Sequence, residues 1–168
     1  MAVSFEKIIN ASKQLNGRVK KTPIVRASKL NLKLGCELFL KLECLQLTSS
    51  FKTRGAFIAI KRNCEENPGK GVIAMSAGNH AQAVAYHAKN LHVPATIIMP
   101  EQAPFSKVSR TKELGAKVIL KGRTLNETSE YVKKIAKKEA LTLIHPYDNE
   151  DVINGQGSIG IEFFDEVN

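Results

Sequence analysis

Lys52 lies in surroundings that suit covalent chemistry. It belongs to the stretch Thr48-Ser49-Ser50-Phe51-Lys52-Thr53-Arg54-Gly55-Ala56-Phe57, between an aromatic residue and small hydroxyl residues, just before a predicted helix. A lysine amine condenses with an aldehyde to form a Schiff base when its environment keeps part of it deprotonated. The chain has 25 lysines and arginines, most of which we expect to be solvated, so a helix start with a serine cap is the simpler interpretation of this stretch alone.

A second stretch, Ser76-Ala77-Gly78-Asn79-His80, changes that balance. It follows a short apolar segment at 71–75, and a helix is predicted from His80. Ligands of open parallel sheets bind beyond the carboxyl ends of the strands, where backbone N–H groups at a helix start attract carboxylates and phosphates. Gly78 allows close backbone approach, and Asn79 can both donate and accept hydrogen bonds. For a Gly-Asn turn taken alone, the favoured alternative is that Asn79 only caps the helix.

Short apolar strands alternate with helices along most of the chain. The strands are predicted at 71–75, 95–99, 117–120 and 141–144, and the helices between them at 80–90, 105–114 and 124–139. This alternation is typical of parallel βαβ units with right-handed crossovers. An open α/β layer is therefore predicted from about residue 54 to 145, with Leu125 among the inward residues of its last helix.

The regions that flank this layer are less regular. A first helix, capped by Ser4, is predicted to place Phe5 on its inner side, and residues 37–43 alternate in the manner of a strand. After the layer, a last helix carries the apolar residues Ile153, Ile159, Ile161, Phe163 and Phe164. No later segment covers that apolar side. We therefore expect an incomplete architecture, whose second core is missing or supplied by another chain.

Composition narrows the class of protein. The chain has 168 residues with ordinary apolar and charged fractions, so it can bury a core. No apolar run approaches the roughly 18 residues that span a bilayer, and the start lacks a signal pattern, so we expect a cytoplasmic protein without a membrane partner. Cys36, Cys44 and Cys64 include no Cys-x-x-Cys pair, so neither a disulfide framework nor a metal site is expected.

The net charge of +9 raises the question of a nucleic-acid partner. The basic residues are scattered, and the densest group lies on the outer side of a predicted helix: Lys133, Lys134, Lys137 and Lys138. Few aromatic residues are interleaved with it, so no surface for stacking bases is visible. A solvated basic face is the favoured interpretation, and nucleic-acid binding is a distant alternative.

Taken together, the motifs resemble the fold-type-II (tryptophan synthase β-like) pyridoxal-phosphate enzymes, in particular their threonine/serine dehydratase branch. The resemblance covers nearly the whole chain and rests on Thr22-Pro23-Ile24, the segment from Leu40 to Gln46, Ser50 to Ala56, Ser76 to His80, and Gly155 to Glu162. It implies the small α/β domain of such an enzyme at 54–147, with incomplete parts of its large domain at 1–53 and 148–168. A glycine-rich phosphate loop, expected in this family, is not found in the sequence.

The resemblance also implies roles for single residues. Lys52 would hold pyridoxal 5'-phosphate as a Schiff base and then act as the base or acid at the substrate α-carbon. Phe51 would pack against the cofactor ring, and Asn79 would hydrogen-bond its phenolic oxygen. The loop that grips the substrate carboxylate, chiefly through backbone amides, would comprise Ser76, Ala77, Gly78 and His80.

One position discriminates within the branch. A racemase needs a second acid or base on the opposite face of the cofactor, which in serine racemase is the second serine of Ser-Ser-Gly-Asn-His. Here that position is Ala77, whose methyl group cannot transfer a proton. We therefore expect a dehydratase that acts on L-threonine or L-serine and is a homo-oligomer in its full-length form. The alternatives are a catalytically inactive fragment that serves as a binding module, and a serine racemase-like enzyme.

Overall fold

The computed structural model of the protein describes residues 3–167, which form seven α-helices and six strands. In chain order these are α1 Phe5–Leu15, β1 Ile24–Arg26, α2 Ser28–Leu34, β2 Phe39–Lys41, α3 Lys52–Glu66, β3 Val72–Met75, α4 Asn79–Asn90, β4 Ala95–Met99, α5 Phe105–Glu113, β5 Lys117–Leu120, α6 Leu125–Lys138, β6 Thr142–Leu143 and α7 Glu150–Glu166. A short 3-10 helix, Glu43–Leu45, follows β2. None of the helices within residues 3–167 is long and apolar enough to cross a membrane.

The predicted open parallel layer is confirmed. Its four strands lie in the order β5-β4-β3-β6, and all three neighbouring pairs are parallel. The two faces of the sheet follow the period of two: Val72 and Ile97 pack with α3, α4 and α5, whereas Ile73 and Ile98 pack with α6. Helices therefore cover both faces of β3 and β4, as expected for parallel strands that alternate with helices along the chain.

The strand predicted at 37–43 is shorter in the structure. The prediction rests on Leu38, Leu40 and Leu42 alternating with the other residues, yet Leu40 lies on the outer side. Only β2 forms a ladder, antiparallel to β1, with Ile24 opposite Lys41. Leu40 is 39% exposed, whereas only 6% of the Lys41 side chain is exposed. The reason is electrostatic, because the Lys41 amine lies 2.6 Å from the carboxylate of Glu162 on α7. A buried ion pair thus decides which face of this strand points inward.

The first residues of α1 and α6 do not face inward as the amphipathic pattern predicts. Ser4 caps α1 as predicted, since its hydroxyl accepts a hydrogen bond from the Lys7 N–H at 3.3 Å. Phe5 and Leu125, both predicted to point inward, are 70% and 69% exposed. Each is the first residue of its helix, and helical side chains lean toward the N-terminus, beyond the turn that packs. The outward direction of both residues corrects the prediction.

Helices α3 and α7 cross at a pair of glycines. A Cβ on Gly155 would lie 2.6 Å from the Cα of Gly55 and 2.8 Å from the carbonyl oxygen of Arg54. A Cβ on Gly55 would meet the carbonyl oxygen of Val152 at 2.5 Å. The closest atoms at these contacts belong to the backbone, so the crossing requires glycine on both helices. The crossing matters for function because Lys52 is the first residue of α3.

This close approach gives a testable result. We expect Gly155→Ala to destabilise the chain by about 2–3 kcal/mol, because the new methyl group forces the two backbones apart. The matched control is Gly160→Ala in the same helix, where an added Cβ meets nothing within 4 Å. That variant should be stabilising by about 0.5–1 kcal/mol, the usual gain over glycine inside a helix. Urea unfolding measures both, and equal midpoints for the two variants would contradict the packing argument.

Candidate active site

The Lys52 amine is held at the carboxyl edge of the parallel sheet. Lys52 is half-buried as the first residue of α3, rather than lying just before the helix. Its Nζ donates a hydrogen bond of 2.6 Å to the carbonyl oxygen of Pro146, which follows β6, and lies 5.1 Å from the centre of the Phe51 ring. Burial lowers the pKa of Lys52 below its ordinary value. A larger deprotonated fraction is what a nucleophilic lysine requires.

The turn after β3 leaves room for a ligand. Its Ser76 hydroxyl accepts a hydrogen bond of 3.1 Å from the Gly78 N–H. Gly78 is the N-cap residue of α4, and a Cβ built on it would meet nothing within 4 Å. Asn79 is an exposed residue of the first helical turn, so the alternative in which Asn79 caps the helix is wrong. Ala77 is partly buried and packs against the core.

His80 points into the protein. It is 3% exposed, and its Nε2 lies 2.9 Å from the carbonyl oxygen of Ile144 at the end of β6. Burial lowers the pKa of His80 to about 4, and the nearby positive charge of Lys52 acts in the same direction. The ring is therefore neutral at neutral pH. Its Nδ1 has no hydrogen-bond partner among residues 3–167.

The structure thus places the two predicted stretches around one segment. Lys52 and His80 bind two carbonyls of the connection between β6 and α7, Pro146 and Ile144. Asn79 directly precedes His80 and, unlike it, is exposed to solvent. Phe51 is 40% exposed, so part of its ring remains available for packing. This convergence matches the expectation that ligands bind at the carboxyl ends of parallel strands.

Arg54 is a buried residue whose structural role is not evident from the sequence alone. It is fully buried, and its guanidinium makes a bidentate ion pair with Glu43 at 2.9 and 2.8 Å. It makes a second bidentate pair with Glu162 at 2.6 and 2.9 Å, and also donates to the hydroxyl of Ser158 at 3.1 Å. These partners raise the pKa of Arg54 although burial opposes them. The available signal was that Arg54, Glu43 and Glu162 each lie within a motif of the resemblance.

Further partners extend this network toward the N-terminal region. The hydroxyl of Thr22 donates to Glu43 at 2.6 Å, and the Lys41 amine donates to the carbonyl oxygen of Thr22 at 2.7 Å. Burial raises the pKa of Glu162, but hydrogen bonds from Arg54 and Lys41 outweigh it, so the net pKa lies below the ordinary value. The network joins β2, α3 and α7. It therefore fixes the start of α3, from which Lys52 projects.

The residues present fit an aldehyde-bearing, anionic cofactor. The Lys52 amine is half-buried with a lowered pKa, as attachment of an aldehyde requires. In the loop before it, the buried hydroxyls of Thr48 and Ser50 have no hydrogen-bond partner among residues 3–167. Such orphaned buried donors require a partner, since leaving one unpaired costs about 1–3 kcal/mol. Within the same residues, no three His, Cys, Asp or Glu side chains cluster to hold a metal ion.

The fold is thus an open parallel α/β layer with a half-buried lysine amine at its carboxyl edge. A family model described as "pyridoxal-phosphate dependent enzyme" matches residues 15–168. The chain belongs to this family, of fold type II, whose members use pyridoxal phosphate. The resemblance and the fold class predicted from the sequence are confirmed.

Three relatives illustrate the likeness. The catabolic L-threonine dehydratase TdcB of Staphylococcus aureus (strain N315) is 46% identical over 167 residues, which cover 98% of this chain and 48% of that protein. Maize serine racemase superposes with a TM-score of 0.94 at 34% identity, covering 99% of this chain and 51% of that one. The processed form of threonine deaminase isoform 2 from Solanum lycopersicum gives a TM-score of 0.87 at 32% identity, covering 100% and 48%. The chain spans about half the length of the curated relatives that it matches.

Proposed function

We propose that the protein is a pyridoxal-phosphate-dependent dehydratase, which converts L-threonine or L-serine into a 2-oxo acid and ammonia. The observation that carries the proposal is the Lys52 amine, half-buried with a lowered pKa against the connection that follows β6. The names of the relatives support the substrate class, since the dehydratase of S. aureus is 46% identical. The division into large-domain parts at 1–53 and 148–168 and a small domain at 54–147 belongs to the same proposal, as does a homo-oligomer of the full-length form.

The chain's own residues have distinct roles in this chemistry. When bound, the cofactor supplies an electron sink for negative charge at the α-carbon of the amino acid. Lys52 would hold the cofactor covalently, and its amine would then take the α-proton. Phe51 would pack on the cofactor ring and Asn79 would bind its phenolic oxygen. Backbone N–H groups of the turn would bind the substrate carboxylate, helped by the positive end of α4: Ser76, Ala77, Gly78 and His80.

The overall reaction balances without a further reactant. Loss of the α-proton and of the β-hydroxyl removes one water from the substrate. The released enamine takes up one water on hydrolysis and yields the 2-oxo acid and ammonia. A general acid or base contributes only where a transferable proton is in reach. In this proposal, Lys52 is the base or acid that transfers the proton at the α-carbon.

A second candidate is a serine racemase-like activity, which the superposition on maize serine racemase favours. Racemisation needs a proton donor on the face of the cofactor opposite Lys52. Ala77 occupies the position that the resemblance assigns to that donor, and its methyl group has no proton to give. Elimination is therefore the preferred chemistry. Formation of D-serine from L-serine by the wild-type protein would reverse this preference.

Cofactor attachment is the direct test. On addition of pyridoxal phosphate we expect an absorption band at the edge of the visible range, because the Lys52 amine condenses with the aldehyde. Borohydride should abolish the band and fix the cofactor on the peptide that contains Lys52, as measured by mass spectrometry. We expect Lys52→Ala to lose both signals completely. The matched control is Lys61→Ala, on the same helix, which should keep them.

Two outcomes separate the alternatives. A modification that persists in Lys52→Ala, or that spreads over many lysines, would contradict the assignment of Lys52. A chain that forms the adduct but yields no 2-oxo acid from threonine or serine would support the alternative of an inactive fragment that serves as a binding module. Retention on duplex DNA at moderate salt would instead favour a nucleic-acid partner.

A further inference from the structure

The connection between β6 and α7 binds both parts of the proposed site through its backbone. Its Ile144 carbonyl accepts from His80 at the start of α4, and its Pro146 carbonyl accepts from Lys52 at the start of α3. The two carbonyls are two residues apart in the chain. A shift of this backbone at one carbonyl therefore changes the position of the other.

We propose that His80 is a positioning residue, whose side chain holds the Ile144–Pro146 backbone in place so that the Pro146 carbonyl keeps the Lys52 amine buried at the site. This inference rests on the proposed function of Lys52. It gives the His80 side chain a role that differs from the binding of a substrate carboxylate by its backbone N–H.

The hydrogen bond fixes the tautomer of the ring. A carbonyl oxygen only accepts, so Nε2 of His80 must carry the hydrogen and Nδ1 must be bare. The bare Nδ1 has no partner among residues 3–167, and the ring is 3% exposed. The bond to Ile144 is thus the one polar contact that orients this side chain within the described residues. Breaking a buried hydrogen bond of this kind is strongly unfavourable, since both groups lose their partner.

The connection has other restraints as well, since the Ile144 side chain is 1% exposed in the core and Asn149 accepts from the Val152 N–H at the start of α7. The Ile144 N–H donates to the carbonyl of Ile73 at 2.9 Å, which extends the pairing of β6 with β3. The His145 ring accepts from the Asp148 N–H at 2.8 Å. Neither contact acts on the Pro146 carbonyl directly. His80 is therefore the only side chain from outside the connection, among residues 3–167, with a recorded hydrogen bond to the Ile144 carbonyl.

The reactivity of Lys52 should follow the position of this backbone. Burial is the cause that lowers the pKa of Lys52, so a looser connection that admits water would let this pKa rise. The titratable groups that face His80 are Lys52 from α3 and His145 from the connection, and a positive charge on either of them favours a neutral His80. A neutral ring adds no repulsion to Lys52, so its contribution at neutral pH is geometric.

A pair of substitutions isolates that geometry. In His80→Gln the amide nitrogen can occupy the place of Nε2 and donate to Ile144. In His80→Asn the shorter side chain places its amide near Nδ1 and cannot reach that carbonyl. Competitive labelling with acetic anhydride over a pH series, read peptide by peptide by mass spectrometry, gives the pKa of Lys52 without any cofactor.

We expect His80→Asn to raise the pKa of Lys52 and to slow its labelling at neutral pH by roughly tenfold, because the deprotonated fraction falls. His80→Gln should restore the wild-type profile. His87→Gln is the control, since His87 is equally buried in α4 but bonds Thr53 rather than the connection. It should leave the Lys52 profile unchanged.

The results that would overturn the positioning role of His80 differ from those that would overturn the proposed function. An identical Lys52 profile in His80→Asn and the wild-type protein would overturn the positioning role. So would an equal rise in His87→Gln, because the effect would then reflect loosening of α4 in general. If pyridoxal phosphate failed to attach to Lys52, the proposed function would fail, while the labelling result would still show whether His80 sets the exposure of the amine.

Discussion

Replacing Arg54 with methionine is expected to lower the free energy of unfolding by about 3–5 kcal/mol, the cost of removing one partner from a buried ion pair. The side chain is 0% exposed, while those of Glu43 and Glu162 are 12% and 16% exposed. Methionine fills a similar volume but offers no donor. Both carboxylates would then remain largely buried, and Lys41 would be the remaining cation in contact with Glu162.

The control for this variant lies two turns further along α3. Arg62 pairs with Glu66 and Asp151, but 52% of its side chain is exposed, so Arg62→Met should cost less than about 1 kcal/mol. Urea unfolding followed by circular dichroism measures both. Arg54→Lys should fall between them, because an ammonium keeps the charge but cannot make two bidentate pairs. A loss in Arg54→Met no larger than in Arg62→Met would mean that the network does not hold the fold together.

The network also joins stability to the site. Lys52 and Arg54 lie on the first turn of α3, and Arg54 ties that turn to the 3-10 helix after β2, through Glu43, and to α7, through Glu162. Pyridoxal phosphate binds the folded state through Lys52 in the proposed function, so it should raise the stability of the wild-type chain and less so that of Lys52→Ala. In the proposed function, the motif around Lys52 therefore combines one residue for chemistry, Lys52, with another that fixes its position, Arg54.

The sequence predicted those features that are periodic or local. The parallel layer followed from apolar strands that alternate with helices, and the start of α1 followed from a serine cap at Ser4. Lys52 and the turn at 76–80 were found because each motif is a continuous run. The expectation that a ligand binds at this turn then followed from the topology rule for parallel sheets, because the turn comes directly after a predicted strand.

The features that were missed depend on contacts across the chain. Arg54 and Glu162 are 108 positions apart, so no local pattern shows that they pair. The same network turns Lys41 inward and Leu40 outward, against the hydrophobic pattern of that strand. The direction of His80 depends on the Ile144 carbonyl, 64 positions away. Polar contacts at long range decided these details, and hydrophobic periodicity does not report them.

Acid should unfold the chain through His80 and His87. Burial lowers the pKa of each from 6.5 to about 4, against hydrogen bonds to Ile144 and Thr53 respectively. A lowered folded-state pKa means that the unfolded chain binds more protons between these values, so stability falls as the pH falls. The stability that the two neutral histidines contribute is fully present above pH 6.5, and it declines from there to about pH 4. Each histidine accounts for about 3 kcal/mol, and together they approach roughly 6 kcal/mol.

This window separates the histidines from the carboxylates. Glu162 has a lowered pKa, so the stability that it contributes is lost only below the ordinary range of a glutamate. The double variant His80→Gln and His87→Gln keeps a hydrogen-bond donor at both sites but has no imidazole to protonate. Urea midpoints measured from pH 7 to pH 4 should therefore fall steeply for the wild-type chain and remain nearly level for the double variant above about pH 5. Parallel decline of the two curves would show that other groups control the acid transition and that the two rings are not held neutral by burial.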